Sequence, residues 1–167
     1  MEKNFTNADS LDNTNSSNTL SGKVNETDGK YLSFWTDSQL FGIPIADVVQ
    51  IVGIQKITQV PEYPTYAKGI INMRGNIIPV IDIRLRLHKQ EIPYNERTCI
   101  IVINIMQKLI GLIVDSVEEV AKFSDEDISQ PPKVAKSNTD SFLTGIAKSQ
   151  NIAVLLLDPE KILTNEL

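Results

Sequence analysis

The chain has 167 residues, of which 41% are hydrophobic and 6% aromatic, and its formal net charge is −5 at pH 7. This length and hydrophobic content predict one compact domain, or two small ones that share a core. The negative charge and the scarcity of aromatic side chains exclude a nucleic-acid binder, which needs a basic surface and stacking platforms. No apolar run approaches the roughly 20 residues of a membrane helix, so we expect no insertion into a membrane.

The first 28 residues differ in composition from the rest of the chain. Residues 1–28 are rich in Asn, Ser, Thr and Asp and show no hydrophobic period. Such a segment buries too little apolar surface to offset its ordering entropy, so we predict a disordered polar tail. The start of the chain has no signal-peptide pattern, and the single cysteine, Cys99, excludes an internal disulfide. We therefore expect a cytoplasmic protein whose folded part spans residues 29–167.

Short β-branched segments separated by turn residues predict a mainly β fold. We predict strands over residues 31–36, 39–45, 69–74, 77–82, 97–105, 109–114, 117–123, 141–148 and 152–157. We predict short helices over residues 46–52, 83–87 and 160–163, and a charged loop over residues 124–140. Arg84 and Arg86 are expected to point outward. Asp82 and Asp158 each precede a short helix, where an aspartate is a common N-cap.

The segment Gly69–Asp82 reads GIINMRGNIIPVID and predicts a β-hairpin. Glycine at the first loop position favours a type II′ turn at Gly75-Asn76, which would pair Arg74 with Ile77. Side chains alternate across a strand. The face predicted to enter the core carries Ile71, Met73, Ile78 and Val80. The opposite face carries Ile70, Asn72, Arg74, Ile77, Pro79 and Ile81. Because an exposed face is normally polar, we expect other parts of the chain or a partner to cover it.

Two parts of the chain resemble each other in the order of their features. Residues 40–51, which contain Gly42, recur 69 residues later around Gly111. Residues 69–82 recur 76 residues later as residues 145–158. We interpret this as a duplication that gives two similar units of five strands each. Such units fit small barrels, because barrel closure removes exposed sheet edges, and the seam between two barrels is a natural groove.

No catalytic constellation is apparent in the sequence. The single histidine, His88, lies in a polar segment, and the acidic run 125–127 lacks the other features of a calcium loop. The segment 74–76 lies in a hairpin rather than between a strand and a helix, so it is not a phosphate loop. We therefore expect no enzyme, metal site or cofactor. An arginine among aliphatic side chains is a common interface anchor, which makes Arg74 the sharpest candidate for partner binding.

Several separate segments, found in the same order, resemble the CheW family of bacterial chemotaxis coupling proteins. They include FGIPIADVVQI, KGIINMRGNIIPVID and IGLIVDSVEEV, and the resemblance covers residues 31–163. It implies an all-β fold of two five-stranded SH3-like barrels, intertwined in sequence, with a few short helices. It also implies a non-catalytic adaptor, a monomer when isolated, that links the cytoplasmic tips of chemoreceptors to the histidine kinase CheA. Such adaptors work in signalling arrays at the inner membrane.

The resemblance implies roles for particular residues as well. The receptor-facing residues carried over by motif are Arg74, Val48, Val117 and Val120. The kinase-facing residues are Gln50 and Ile51 on one barrel, and the loop from Ser129 to Val134 on the other.

Three other functions stay open at this point. The first is an adaptor of the same family in a non-chemotactic kinase pathway, which neighbouring genes would distinguish. The second is a regulator fused to a receiver domain, although the chain ends soon after the last predicted helix. The third is an enzyme, which would require a cleft with converging titratable groups.

Overall fold

The computed structural model describes residues 26–132 and 139–164, which are organised as two β-sheets. The strands are β1 (Lys30–Thr36), β2 (Gln39–Pro44), β3 (Val48–Gly53), β4 (Ala67–Met73), β5 (Asn76–Asp82), β6 (Cys99–Ile105), β7 (Lys108–Val114), β8 (Ser116–Lys122), β9 (Ile128–Ser129), β10 (Leu143–Ser149) and β11 (Ile152–Leu157). The helices are α1 (Ile83–Arg86) and α2 (Pro159–Thr164). Single 3₁₀ turns lie at Ile45–Asp47, Asp125–Asp127 and Asp140–Phe142. Most of the predicted polar tail lies outside the described residues. No helix within the described ranges is long and apolar enough to cross a membrane.

Each sheet closes into a barrel. The central barrel has the strand order β3-β6-β7-β5-β4, and the terminal barrel has the order β8-β1-β2-β11-β10-β9. In the central barrel, Thr58 follows β3 and pairs with Ile70 of β4. In the terminal barrel, β9 follows β8 and pairs with β10. In each barrel the segment that follows one edge strand, β3 or β8, pairs with a strand at the opposite side of the sheet, so the chain links the two edges. The predicted all-β fold of two SH3-like barrels is confirmed.

The two copies of the repeat exchange their first two strands. β1 and β2 belong to the first copy but lie in the terminal barrel, whereas β6 and β7 of the second copy lie in the central barrel. Equivalent parallel pairings hold both exchanges: Val80 pairs with Gly111, and Leu156 pairs with Gly42. Repeat-related residues therefore occupy equivalent positions, and each barrel contains strands from both copies.

The β4–β5 hairpin turns at Arg74-Gly75, so the predicted type II′ turn at Gly75-Asn76 is wrong. The two loop residues have φ values of 51° and 85°, which is the type I′ combination. The strands are consequently paired with Ile71 opposite Ile78. Both registers keep the same side chains on each face, so Ile71 and Ile78 are buried as expected. The other hairpin loops with two positive φ values are Asp37-Ser38, Met106-Gln107 and Gln150-Asn151.

Residues 46–52 form a 3₁₀ turn and strand β3 instead of the predicted helix. Their β-branched side chains are adjacent on a helical wheel, but such side chains also favour strands. β3 pairs with β6 from Val48 opposite Ile103 to Gly53 opposite Cys99. This long-range pairing overrides the local pattern. The same reason accounts for β9, which lies in the segment predicted to be an irregular loop.

Three apolar clusters stabilise the fold. One fills the central barrel around Ile78 and Ile100, and a second fills the terminal barrel around Ala147 and Val154. The largest, which we call the inter-barrel cluster, takes side chains from both sheets. It includes Leu32, Phe34, Phe41, Ile81, Ile101 and Phe142. Because both sheets contribute to it, the two barrels share a core and form one folded unit.

Arg86 is buried, so the prediction that it points outward is wrong. Arg86 is 2% exposed, and its Nε donates a hydrogen bond of 2.6 Å to the carbonyl of Ile162. Its guanidinium lies 4.3 Å from the ring centre of Tyr66 and 4.8 Å from that of Phe142. Tyr66 and Phe142 are repeat-related, so Arg86 is held between equivalent aromatic rings of the two copies.

Candidate functional site

Strands β3 and β8 occupy equivalent positions in the two barrels, and each carries a valine that packs on the inter-barrel cluster. Val48 of β3 and Val117 of β8 are both half-buried against it. Val48 pairs with Ile103 and Val117 pairs with Phe34, and both of these partners are fully buried. Two of the residues predicted to face a receptor therefore lie at the edge of the same cluster.

An exposed aliphatic residue follows each of these valines. Ile51 is 41% exposed and Val120 is 52% exposed. They pair with Ile101 and Leu32, which belong to the inter-barrel cluster, and paired residues share one face of a sheet. A β-bulge separates each exposed residue from its valine. We call Val48 and Ile51 the β3 margin, and Val117 and Val120 the β8 margin.

The β4–β5 hairpin carries a third apolar strip toward the same cluster. Along one face of β5, Ile77 is 59% exposed, Pro79 is half-buried and Ile81 is 7% exposed within the inter-barrel cluster. We call these three residues the β5 stripe. Arg74 is exposed in the loop at its outer end. The amide of Gly75 donates to Oδ1 of Asn72 at 3.0 Å, which stabilises the loop. Arg74 is therefore linked to the cluster through the β5 stripe.

The residues predicted to face the kinase are divided between the barrels. Gln50 and Ile51 are exposed on β3 of the central barrel. Ser129 is exposed on β9 of the terminal barrel, where its Oγ donates to the carbonyl of Ile146 at 3.4 Å. Val134 lies outside the described residues. The structure thus brings Val48 and Val117 to one cluster but keeps Gln50 and Ser129 on separate barrels.

Sequence reasoning missed an ion-pair network beside the β8 margin. Arg84 donates from Nε and Nη2 to the two carboxylate oxygens of Asp115, at 2.8 Å and 2.7 Å. Its Nη1 lies 3.3 Å from Oδ1 of Asp37 and donates to the carbonyl of Gln90 at 3.1 Å. The amide of Asp37 donates to Oδ2 of Asp115 at 2.9 Å. The charged residues at the strand ends in the motifs IDIR and IVDS were the only sequence signal of this pair.

The network changes the pKa of both partners. Hydrogen bonding to Asp115 is the main cause that raises the pKa of Arg84. Burial alone would raise the pKa of Asp115, but the hydrogen bonds from Arg84 and from the Asp37 amide outweigh it and lower that pKa. Asp115 is therefore ionised at neutral pH, and we call Arg84, Asp115 and Asp37 the clamp corner.

The repeat-related corner has the opposite electrostatic character. Burial raises the pKa of Asp47, and the carboxylates of Glu160 and Asp158 raise it further. These three residues surround a surface cavity whose walls also include Tyr31 and Ile105. We call Asp47, Asp158 and Glu160 the acidic corner. Like charges that lie close together disfavour ionisation. The charged groups of the acidic corner therefore repel one another, whereas Arg84 and Asp115 of the clamp corner attract each other.

Asp82 and Asp158 cap the two short helices, which confirms the prediction. Oδ1 of Asp82 accepts from the amide of Arg84 at 2.9 Å, and Oδ1 of Asp158 accepts from the amide of Glu160 at 3.0 Å. The Tyr94 hydroxyl donates a hydrogen bond of 2.7 Å to Oδ2 of Asp82. Burial is the main cause that raises the pKa of Tyr94, and this hydrogen bond raises it further. Within the described residues, no three His, Cys, Asp or Glu side chains are grouped as a metal site requires.

The chain is similar in sequence and in fold to several known proteins. The family model described as "CheW-like domain" matches residues 30–167. The chain is 34% identical to "Chemotaxis protein CheW" of Klebsiella aerogenes over 149 residues, which are 89% of this chain and 90% of that protein. It is 27% identical to "Chemotaxis protein CheW" of Treponema pallidum, over 86% of each chain. The crystal structure of the scaffolding protein TtCheW from Thermoanaerobacter tengcongensis matches with a TM-score of 0.76 and 34% identity, and the match covers 83% of this chain and 94% of that one.

Proposed function

The chain belongs to the CheW-like domain family, and we propose that it is a non-catalytic adaptor of bacterial chemotaxis. In this role it links the cytoplasmic tips of transmembrane chemoreceptors to the regulatory domain of a histidine autokinase. The names of its relatives, a chemotaxis protein and a scaffolding protein, support this role. The adaptor then works in receptor arrays at the inner membrane, where its partners bring it.

The β8 margin and the β5 stripe are the observation that carries the receptor half of the proposal. Val120 and Ile77 are exposed, while Val117 and Ile81 connect them to the inter-barrel cluster. An α-helix presents rows of apolar side chains, and a concave aliphatic surface accepts such a row. A helical hairpin from a receptor is therefore the partner proposed for this surface, and Val48, which packs on the same inter-barrel cluster, is assigned to it as well.

Arg74 supplies the polar contact in this proposal. Arg74 lies in the loop at the outer end of the β5 stripe and is exposed, so its guanidinium is available to a carboxylate or a carbonyl of the receptor. Arginine is well suited to this position because its planar fork donates several hydrogen bonds at once. Apolar contacts would then supply most of the affinity, and Arg74 would fix the orientation of the receptor.

The kinase contacts are assigned to two other surfaces. Ile51 and Gln50 on β3 form the first, and the neighbouring Val49, which is 56% exposed, enlarges its apolar area. The second begins at Ser129 on the terminal barrel, and Val134, which is assigned to the same contact, lies outside the described residues. Two separate contact surfaces let one adaptor join more than one kinase molecule, and several weak contacts gain strength in an array through multivalency.

Kinase autophosphorylation tests the proposal. The purified protein is mixed with receptor-containing membranes and the cognate histidine kinase, and the initial rate of autophosphorylation is compared with and without the adaptor. We expect strong stimulation by the wild-type protein. We expect Arg74→Glu to abolish most of it, because a carboxylate at the open end of the β5 stripe repels the group that Arg74 contacts.

Arg97→Glu is the matched control for this charge reversal. Arg97 is also exposed and lies just before β6, away from the β4–β5 loop. We expect Arg97→Glu to stimulate the kinase as the wild type does. Full stimulation by a folded Arg74→Glu variant would contradict the receptor assignment. Binding of the wild type to neither partner would contradict the proposed function as a whole.

A further inference from the structure

The clamp corner joins the two walls of the proposed receptor-binding surface, which are the β8 margin and the β5 stripe. Asp115 immediately precedes β8, which carries Val117 and Val120 on the terminal barrel. Arg84 lies in α1, which immediately follows β5 and its stripe on the central barrel. The two hydrogen bonds between their side chains therefore connect one wall directly to the other.

The geometry of the pair is suited to fixing a distance. A bidentate arginine–carboxylate pair restrains both separation and orientation, because two parallel hydrogen bonds must be kept at once. The side chain of Arg84 is 11% exposed and that of Asp115 is 25% exposed, so solvent screens the pair only partly. Asp37, in the β1–β2 loop of the terminal barrel, adds a third anchor because its backbone amide donates a hydrogen bond to Asp115.

The other copy of the repeat has no counterpart of this pair. The repeat places Glu160 at the position equivalent to Arg84, and Ala46 at the position equivalent to Asp115. Side chains at these equivalent positions cannot form an ion pair with each other. The connection thus lies at the β8 margin, both of whose residues are assigned to the receptor. The β3 margin, where Ile51 is assigned to the kinase, lacks it.

We propose that Arg84 is a positioning residue whose pair with Asp115 sets the spacing between the β8 margin and the β5 stripe. By setting that spacing it determines the affinity for a helical hairpin without contacting the hairpin itself. The affinity part of this inference rests on the proposed function, whereas the spacing part rests on the contacts of the clamp corner alone.

Spin labels measure the spacing directly. Labels are attached to cysteines introduced by Ile77→Cys and Val120→Cys, both at exposed positions, after Cys99→Ser has removed the single native thiol. Pulsed dipolar spectroscopy then gives the distance distribution between the walls. We expect a narrow distribution for the parent protein and a broadened one for Arg84→Lys and for Asp115→Asn. Distributions of unchanged width in both variants would overturn the proposal.

Lys89→Gln serves as the charge control. The Lys89 ammonium lies 3.5 Å from Asp37, so the substitution removes a cation from the same network without breaking the link between Arg84 and Asp115. We expect it to leave the distance distribution unchanged. Broadening equal to that of Arg84→Lys would overturn the assignment to the Arg84–Asp115 pair.

Binding measurements separate positioning from general loss of structure. The probes are a soluble helical-hairpin fragment of a cognate chemoreceptor and the isolated regulatory domain of the kinase. We expect Arg84→Lys to weaken binding of the fragment about tenfold and to leave kinase binding unchanged. Glu is longer than Asp and Lys is shorter than Arg, so the double variant Arg84→Lys, Asp115→Glu should regain part of the receptor affinity.

The outcomes distinguish the two levels of the inference. Equal losses for both probes, without rescue by the double variant, would assign Arg84 a purely structural role and overturn the proposal. A wild-type protein that fails to bind the receptor fragment would overturn the proposed function together with the effect on affinity. In either case, the spin-label distances test whether the Arg84–Asp115 pair sets the spacing between the β8 margin and the β5 stripe.

Discussion

The clamp corner and the acidic corner are equivalent places in a duplicated structure, yet their charges have opposite effects. At the first, the Arg84 guanidinium binds Asp115 and lowers the pKa of that carboxyl. At the second, Glu160 replaces the arginine and helps raise the pKa of Asp47. The backbone of the two copies is preserved while the charges have diverged. Duplication can thus give two similar corners of which only one contains an arginine–aspartate ion pair.

The two margins diverge in a similar way. Both expose one aliphatic residue beside the inter-barrel cluster, Ile51 on β3 and Val120 on β8. The residues beside them differ, because β8 has glutamates at the positions equivalent to Val49 and Gln50 of β3. One of these glutamates, Glu118, accepts a hydrogen bond of 2.8 Å from the Trp35 indole. Exposed aliphatic residues at equivalent positions, set beside unequal charges, favour binding to different partners.

The largest expected difference between the barrels concerns the glycines at their closure. Gly69 has a φ of 144°, and a Cβ there would overlap the carbonyl oxygen of Thr58. At the equivalent Gly145, a Cβ would lie 2.8 Å from the Ile128 Cγ2 methyl, which can move, and 3.1 Å from the carbonyl oxygen of Ser129. We expect Gly69→Ala to lower the free energy of unfolding by about 3 kcal/mol or more, and Gly145→Ala by about 1 kcal/mol. Urea denaturation measures both, and similar losses would show that the two closures are equivalent.

The next effect compares the two corners. We expect Arg84→Ala to lower the free energy of unfolding by about 2 kcal/mol, because it leaves the Asp115 carboxylate without its main partner. We expect Glu160→Ala to change it by less than about 0.5 kcal/mol, since removing a repelled charge offsets the loss of a favourable charge near a helix N-terminus. Urea denaturation at pH 7 provides both values. A loss in Glu160→Ala as large as that in Arg84→Ala would remove the contrast between the corners.

The smallest effect is a difference in pH dependence. The pKa of Asp115 is lowered by folding, so its stabilisation is present above about pH 4 and is lost as the pH falls through the folded-state value. The pKa of Asp47 is raised, so its contribution is favourable below about pH 4 and is lost as the pH rises through its folded-state value. At pH 7 we therefore expect Asp115→Asn to destabilise the protein and Asp47→Asn to stabilise it slightly.

Thermal unfolding between pH 3 and pH 7 checks this prediction. Both differences from the wild type should shrink toward pH 3. The Asp47 carboxyl is then neutral in the folded and unfolded protein, whereas for Asp115 protonation of the unfolded chain removes part of the stabilisation. Destabilisation of the same sign and size in both variants at pH 7 would contradict the assigned electrostatics.

Local sequence patterns predicted the fold class, the repeat and the helix caps. Gly42 and Gly111 mark equivalent strands, and their aliphatic neighbours identify them as buried strands of a β fold. The turn at Arg74-Gly75 was missed because it requires a positive φ in arginine, which glycine adopts far more readily. β3 was mistaken for a helix because its long-range pairing with β6 leaves no local signal.

The missed contacts have the same cause. Arg86 is buried by Tyr66 and Phe142, and Arg84 is paired with Asp115, all distant in sequence. The carried-over residues Val48 and Val117 lie on one cluster, which supports their assignment to a common surface. What binds to Val48 and Val117 stays a prediction, because exposure identifies a surface without identifying its binding partner. The same is true of the other carried-over residues, which are Arg74, Val120, Gln50, Ile51 and Ser129.

A pair of repeat-related substitutions tests most directly whether Ile51 and Val120, the exposed residues of the two margins, serve different partners. Ile51→Ser and Val120→Ser each remove one exposed aliphatic side chain, so both variants should fold normally. Dissociation constants are measured for each variant with the receptor fragment and with the kinase regulatory domain. We expect Val120→Ser to weaken only receptor binding and Ile51→Ser to weaken only kinase binding, by about tenfold each. Equal weakening of receptor and kinase binding by both variants would contradict the assignment of Ile51 and Val120 to different partners.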